Sequence, residues 1–132
     1  MAAGSVASIV VHDGDVPADA AVLVDDGIDH HNTTRAPLHD VRALACIAWL
    51  DVCTIGGAVG RTWGQLAELQ QIWLDEAQRR HGVGRQLMQA FEATAAARGC
   101  TQVYLDTFSF QAPHFYRALG YRAVLELEGY AP

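Results

Sequence analysis

A chain of 132 residues, 51% of them apolar, is about one domain long and can fill a single core. Its formal charge of -6 sets 15 acidic residues against nine arginines with no lysine, which argues against a general electrostatic grip on nucleic acid. The three cysteines, Cys46, Cys53 and Cys100, contain no C-x-x-C pair, so neither a disulfide framework nor a zinc site is indicated, and a reduced cytosol fits.

The first residues, Met1 to Val11, lack the positive start of a secretory signal, and the longest apolar run, Ala43 to Leu50, is far too short to cross a bilayer. A cytoplasmic protein without membrane contact is expected. Ser5 to Val11 reads as a first strand, ended by the turn-forming His12 Asp13 Gly14 Asp15. Ala18 to Asn32 carries a helical stripe of Ala20, Leu23, Val24 and Ile28 that Gly27 weakens. Arg42 to Leu50, Ile55 to Trp63 and Gln65 to Leu74 follow as three strands joined by tight turns at Asp51 to Thr54 and near Gly64, an antiparallel meander. Val83, Leu87, Phe91 and Ala95 then recur at helical spacing until Gly99 stops the helix. Thr101 to Thr107 is a further strand, Pro113 to Leu119 a short helix closed by Gly120, and Tyr121 to Leu127 a last strand. The expectation is one α/β (α+β) domain over residues 1–132. Its order is strand, helix, three strands, helix, strand, helix, strand, and its mixed, mostly antiparallel sheet is flanked by helices.

Between the meander and the long helix lies Arg79 Arg80 His81 Gly82 Val83 Gly84 Arg85, a glycine-rich turn with four basic or potentially basic side chains. A helix start leaves backbone N–H groups unpaired and carries partial positive charge, so such a turn is an anion cradle for a phosphate-rich cofactor. A P-loop would need G-x-x-x-x-G-K-(S or T), which a chain without lysine does not supply. A dinucleotide fingerprint is a closer rival, because Asp106 ends a strand about 20 residues beyond the glycines, where a ribose-binding acid belongs. Two details oppose it: Leu87 stands at the third glycine position, and Asp75 to His81 separate the strand from Gly82.

The C-terminal half resembles the GCN5-related N-acetyltransferases over residues 66 to 121. Their acetyl-CoA motif, (Q or R)-x-x-G-x-(G or A) at a helix start, is matched here by Arg79 to Gly84. Their later pattern A-x-x-x-Y-x-x-x-G-(F or Y) is matched by Ala112, Tyr116, Gly120 and Tyr121. The stretch LDTFSFQAPHFYRALGY looks like a bacterial branch of small acetyltransferases. The resemblance implies that Gly82, Val83, Gly84 and Arg85 give N–H groups to the pyrophosphate, with Arg79, Arg80 and His81 around it. It also implies that Leu74 holds the pantetheine by its backbone beside Trp73, and that Ser109 belongs to the cofactor site. His30, His31 and Asn32 are implied at the acceptor pocket. The two histidines are adjacent and point different ways, so no metal site is expected. Acetyl-CoA is the implied cosubstrate, and with no cysteine placed as a covalent carrier transfer is expected to be direct; the acidic balance points to a small-molecule primary amine as acceptor, with peptide amines as the alternative.

An alkylammonium with a pKa of about 10.4 must lose its proton before it attacks a thioester, which costs about 4.6 kcal/mol at pH 7. Glu68, in the strand before the cradle and on one face with Gln70, Ile72 and Leu74 by strict alternation, is the expected base. A solvated surface carboxylate is the competing reading. Tyr116, protonated at neutral pH, is expected to hydrogen-bond or protonate the departing thiolate, against the alternative of simple packing beside Phe115. Trp49, Trp63 and Trp73 read as core or pocket wall. A domain that binds acyl-CoA as a sensor or structural subunit without turnover is the alternative function. In the resembling family one more strand follows Gly129 Tyr130, whereas this sequence stops at Ala131 Pro132, so an open sheet edge and a homodimer covering it are expected.

Overall fold

The computed structural model describes residues 5–35, 40–107 and 112–129. It divides into two compact units, Met1–His39 and Asp40–Pro132. The first holds helix α1 (Ala18–Arg35), which extends beyond the expected end at Asn32 and buries none of its residues. Thr33 and Thr34 turn their hydroxyls back onto the carbonyls of His30 and His31 at 3.1 and 2.8 Å, within its last turns. The expected strand over Ser5 to Val11 is not formed: Val6 and Ile9 are 90% and 88% exposed and no ladder engages the segment. β propensity is expressed only against a partner edge, so a run of Val and Ile predicts a strand without supplying one.

The second unit is built on a four-stranded sheet in the order β1-β2-β3-β4. Strands β1 (Arg42–Leu50), β2 (Cys53–Trp63) and β3 (Leu66–Leu74) form the antiparallel meander, and β4 (Gln102–Leu105) adds parallel to β3. The first turn puts Asp51 at φ 53, a left-handed conformation that aspartate tolerates. The second, at Gly64 and Gln65, is tied down where the Gly64 N–H donates to Asp40 Oδ2 at 3.0 Å. Helix α2 (Val83–Ala97) lies across β1, β2 and β3 and buries Leu87, Phe91 and Ala95 of the stripe read from its spacing, with Val83 half-buried beside them and Met88 added to the buried face. Leu44, Ala58, Ala67 and Leu69 meet it from the sheet. Thr62, 3% exposed on that face, accepts a hydrogen bond from Arg98 Nη1–H on its hydroxyl oxygen at 3.1 Å, so the buried polar atom is satisfied. Helix α3 (Pro113–Ala118) starts on proline and adds Tyr116 to the core.

The expected strand over Thr101 to Thr107 is confined to Gln102–Leu105, and that over Tyr121 to Leu127 is not formed, with Val124 and Leu127 each 84% exposed. Trp49 and Trp73, expected in the core or pocket wall, are 62% and 58% exposed on the sheet face away from α2.

A bulge in β3 decides which side chains share a face. Leu69 opposes Gly60 and Gln71 opposes Val59, which leaves Gln70 as the extra residue. Ala67 and Leu69 before the bulge and Ile72 after it therefore all pack on the α2 core, and Glu68 points to the opposite face. The alternation that put Glu68 with Ile72 and Leu74 is broken by that one residue. Gly60 is required here, because a Cβ would collide with the backbone carbonyl of Glu68 and lie 2.9 Å from the Phe91 ring. Gly60→Ala is expected to destabilise the protein by about 3 kcal/mol, the upper range for an overpacked site, read as a lower midpoint in urea at unchanged slope.

Candidate active site

The site begins where β3 ends. After Leu74 the Asp75 N–H bonds to the Ile55 carbonyl at 2.8 Å, a single 3-10 turn (Glu76–Gln78) follows, and Arg79 folds back so that its Nε–H donates to the Leu74 carbonyl at 2.9 Å. A carbonyl oxygen has two lone pairs, so Leu74 can still accept another bond. The guanidinium, with five N–H donors, has used one. Arg80 at φ 68 and Gly82 at φ 82 both lie in the left-handed region and swing the chain into α2. For an arginine that conformation is uncommon, and backbone strain of this kind clusters at ligand clamps.

Helix α2 starts without a side-chain cap and without an acidic residue in its first turn. Its first intrahelical bond runs from the Gln86 N–H to the Gly82 carbonyl at 3.1 Å, so the N–H groups of Gly82, Val83, Gly84 and Arg85 have no intrahelical acceptor. Arg79, Arg80, His81 and Arg85 stand exposed around these four donors. Free N–H donors at a helix start ringed by cations are the chemistry that receives an anion.

Gly84 has a neighbour that spacing did not reveal. A Cβ there would lie 3.4 Å from the Phe115 ring, in van der Waals contact, so α3 packs closely on the first turn of α2. Phe115 in turn meets Tyr116 edge to face, with ring centroids 5.3 Å apart.

Beside Tyr116 the sheet opens. β3 and β4 pair only from Leu66 with Gln102 to Leu69 with Leu105, while β3 continues to Leu74. The bulge at Gln70 sits at this parting, and bulges increase local twist. Between the separated ends is a cavity of about 230 Å³ lined by Gln70, Gln71 and Ile72 on one side, Asp106 and Thr107 on the other, and Tyr116. Tyr116 is 8% exposed, and burial raises its phenol above the usual range, so it keeps its proton at neutral pH. Ser109 lies outside the described residues.

Glu68 stands on the other face of the sheet. Its Oε1 accepts from Arg61 Nε–H at 3.0 Å, and the Tyr104 hydroxyl donates to the same carboxylate. Arg61 lies over the Trp63 ring, 5.0 Å from its centroid, and Trp63 meets Tyr104 edge to face at 6.1 Å. Arg61, Trp63 and Tyr104 were not singled out as site residues, yet part of this was legible. A two-residue turn at Gly64 and Gln65 sets Arg61 opposite Glu68, and strand alternation then puts Trp63 beside them. His30, His31 and Asn32 lie in the closing turns of α1 in the first unit, the histidines exposed and Asn32 half-buried. Among the described residues no group of three or more His, Cys, Asp or Glu side chains is placed to hold a metal, and no helix is long and apolar enough to cross a membrane.

A mixed sheet whose parallel pair separates beside an uncapped, arginine-flanked helix start defines an α/β protein with helices against the sheet. The chain belongs to the acetyltransferase (GNAT) family, whose model matches residues 17–121. It is 36% identical over 78 residues to blasticidin-S acetyltransferase of Streptomyces morookaense, a match that covers 58% of this chain and 57% of that protein. With the acetyltransferase Atu2258 of Agrobacterium fabrum (strain C58) it shares 30% identity over 108 residues, 81% of this chain and 79% of the other. The chain thus spans little more than half of the first relative and about four fifths of the second. A crystal structure of an acetyltransferase from Bacillus cereus superposes with a TM-score of 0.74 at 26% identity, covering 85% of this chain and 83% of that one.

Proposed function

We propose that the protein is an acetyl-CoA-dependent N-acetyltransferase that passes the acetyl group to a primary amine by direct attack within a ternary complex. The observation that carries this reading is the uncapped start of α2, joined through Phe115 to the Tyr116 cavity where β3 leaves β4. The N–H groups of Gly82, Val83, Gly84 and Arg85 take the pyrophosphate, and Arg79, Arg80 and His81 add charge around it. The backbone of β3 up to Leu74, which has no β4 partner beyond Leu69, offers groups to the pantetheine amides. Trp73, beside Leu74, flanks this strand end from the far face.

Glu68 takes the proton from the acceptor's ammonium, directly or through water, and the freed lone pair attacks the thioester carbonyl. As the C–S bond breaks, Tyr116 gives its proton to the thiolate. The Streptomyces relative is named for blasticidin-S, which supports a small-molecule amine rather than a protein as acceptor.

Release of free thiol from acetyl-CoA, followed against a panel of primary amines, is the test. Turnover with at least one amine is expected. A thermal shift with acetyl-CoA and no thiol release with any amine supports a non-catalytic acyl-CoA binder instead. Glu68→Gln is expected to lower kcat by roughly 10² to 10⁴ and to abolish the acidic limb of the pH–rate profile, since an amide accepts no proton. A surviving limb places the base elsewhere.

A further inference from the structure

We propose that Trp63 and Glu68 form a seat for the acceptor's ammonium group, and that the guanidinium of Arg61 fills this seat until the acceptor displaces it. The proposal rests on the acetyl-transfer reading for the identity of the ligand, but its geometry is independent of it.

The seat lies on the sheet face turned away from α2. Arg61 and Trp63 are neighbours on that face of β2, Glu68 stands directly opposite Arg61 on β3, and Tyr104 stands opposite Glu68 on β4. An indole face and a carboxylate together form the chemistry that receives a cation bearing N–H donors: the ring attracts the charge and the carboxylate takes the hydrogen bond. Here that cation is the chain's own guanidinium, 5.0 Å from the Trp63 centroid and 3.0 Å from Glu68 Oε1.

The two partners of the ion pair are held unequally. The Glu68 side chain is 20% exposed and is fixed from its other side by the Tyr104 hydroxyl, whereas the Arg61 side chain is 46% exposed. Arg61 makes a single bond through Nε rather than a bidentate fork. A water-accessible pair of this kind is weak, so the guanidinium can leave while the carboxylate stays in place. The chemistry of transfer requires that it leave, because the guanidinium occupies both Glu68 Oε1 and the Trp63 face that the ammonium would use. An arriving ammonium that replaces Arg61 keeps Glu68 paired, and can then give up its proton to it. Leu69, the residue after Glu68, lines the Tyr116 cavity, so the seat lies across the thickness of the sheet from the place assigned to the thioester. The charged groups facing the seat from neighbouring strands are Arg61, Glu68 and Asp106, the last close enough to act on Tyr104, so removing Arg61 leaves the locality anionic.

The test measures binding without turnover. 1,4-Diaminobutane is titrated into the protein without acetyl-CoA, with the indole N–H resonance of Trp63 as the readout, assigned through Trp63→Phe. Arg61→Gln is expected to bind the diamine about fivefold more tightly than the native protein, with the Trp63 signal moving at the same dissociation constant. Adding Trp63→Leu to Arg61→Gln should remove most of that gain, which a mere change of net charge would not do. Arg117→Gln, removing the same charge from the exposed side of α3, should leave the affinity unchanged. Equal or weaker binding by Arg61→Gln, a Trp63 resonance that does not move, or an equal gain with Arg117→Gln would each overturn the proposal. Acetyl-CoA affinity, measured in parallel, should be the same in the native and Arg61→Gln proteins. A protein that fails to bind acetyl-CoA overturns the transferase reading alone, since the diamine titration does not depend on it.

Discussion

Gly82→Asp is expected to weaken acetyl-CoA binding about a hundredfold, by about 2.7 kcal/mol, while leaving the fold intact. Gly82 has φ 82 and ψ 4, and a Cβ built on it meets nothing within 4 Å. Aspartate is among the residues that enter this left-handed conformation most readily, so the strain of the substitution, about 1 kcal/mol, is less than for other side chains. Its carboxylate would sit at the uncapped start of α2, where it takes the N–H groups meant for the pyrophosphate and stabilises the helix by doing so. Competition for donors is joined by repulsion, since two unit charges about 4 Å apart interact by about 4 kcal/mol at an effective dielectric of about 20, less where water screens them. Gly82→Asn has nearly the same shape without the charge, and should lose less than about tenfold. Calorimetry gives both constants, and thermal unfolding should show each variant within a few degrees of the native protein. An undiminished affinity in Gly82→Asp would remove the cradle as the cofactor site. Gly84 is a poorer place for this experiment, because a side chain reaching beyond Cβ there would also press on Phe115.

Tyr116→Phe should lower kcat by roughly 10² while the dissociation constant for acetyl-CoA stays the same. The ring is packed between Phe115 and Tyr121, with centroids 5.3 and 5.9 Å away, and phenylalanine preserves those contacts. Only the hydroxyl is lost. Burial raises the Tyr116 phenol, so the protonated donor form persists through neutral and mildly alkaline pH, and the native rate should show no basic limb from this group below its ordinary pKa of about 10. The decisive measurement is a series of acyl thioesters of decreasing thiol pKa. A donor to the thiolate matters less as the leaving group becomes more acidic, so the ratio of native to variant kcat should shrink along the series. A constant ratio would reduce Tyr116 to a packing residue.

The parts of the site that lie close together in sequence were legible before the fold was known. The turn from Arg79 to Arg85 announces itself by glycines and arginines at a helix start. The stripe of Val83, Leu87, Phe91 and Ala95 identifies the face of that helix which packs on the sheet. Gly120 closes α3 with φ 94 where its position suggested a stop. Each of these depends on chemistry within one or two turns of chain, which local sequence specifies completely.

Glu68 shows where that reasoning ends. Alternation placed it on the face of Ile72 and Leu74, but Gln70 bulges out of the pairing with β2 and reverses every side chain beyond it. Nothing in the residue types of β3 marks the bulge. It arises from the match between two strands, helped by the close approach of Gly60 to the Glu68 backbone. The same holds for Gly84, whose neighbour Phe115 is brought to it only by the packing of α3, and for the segments Ser5 to Val11 and Tyr121 to Leu127, whose strand-like composition met no partner edge. Periodicity and turn chemistry, being local, were determined by the sequence itself. Face, partner and pairing were decided by the tertiary structure, because a strand acquires its register, and an ion pair such as Arg61 with Glu68 its place over Trp63, only when a second segment arrives beside it.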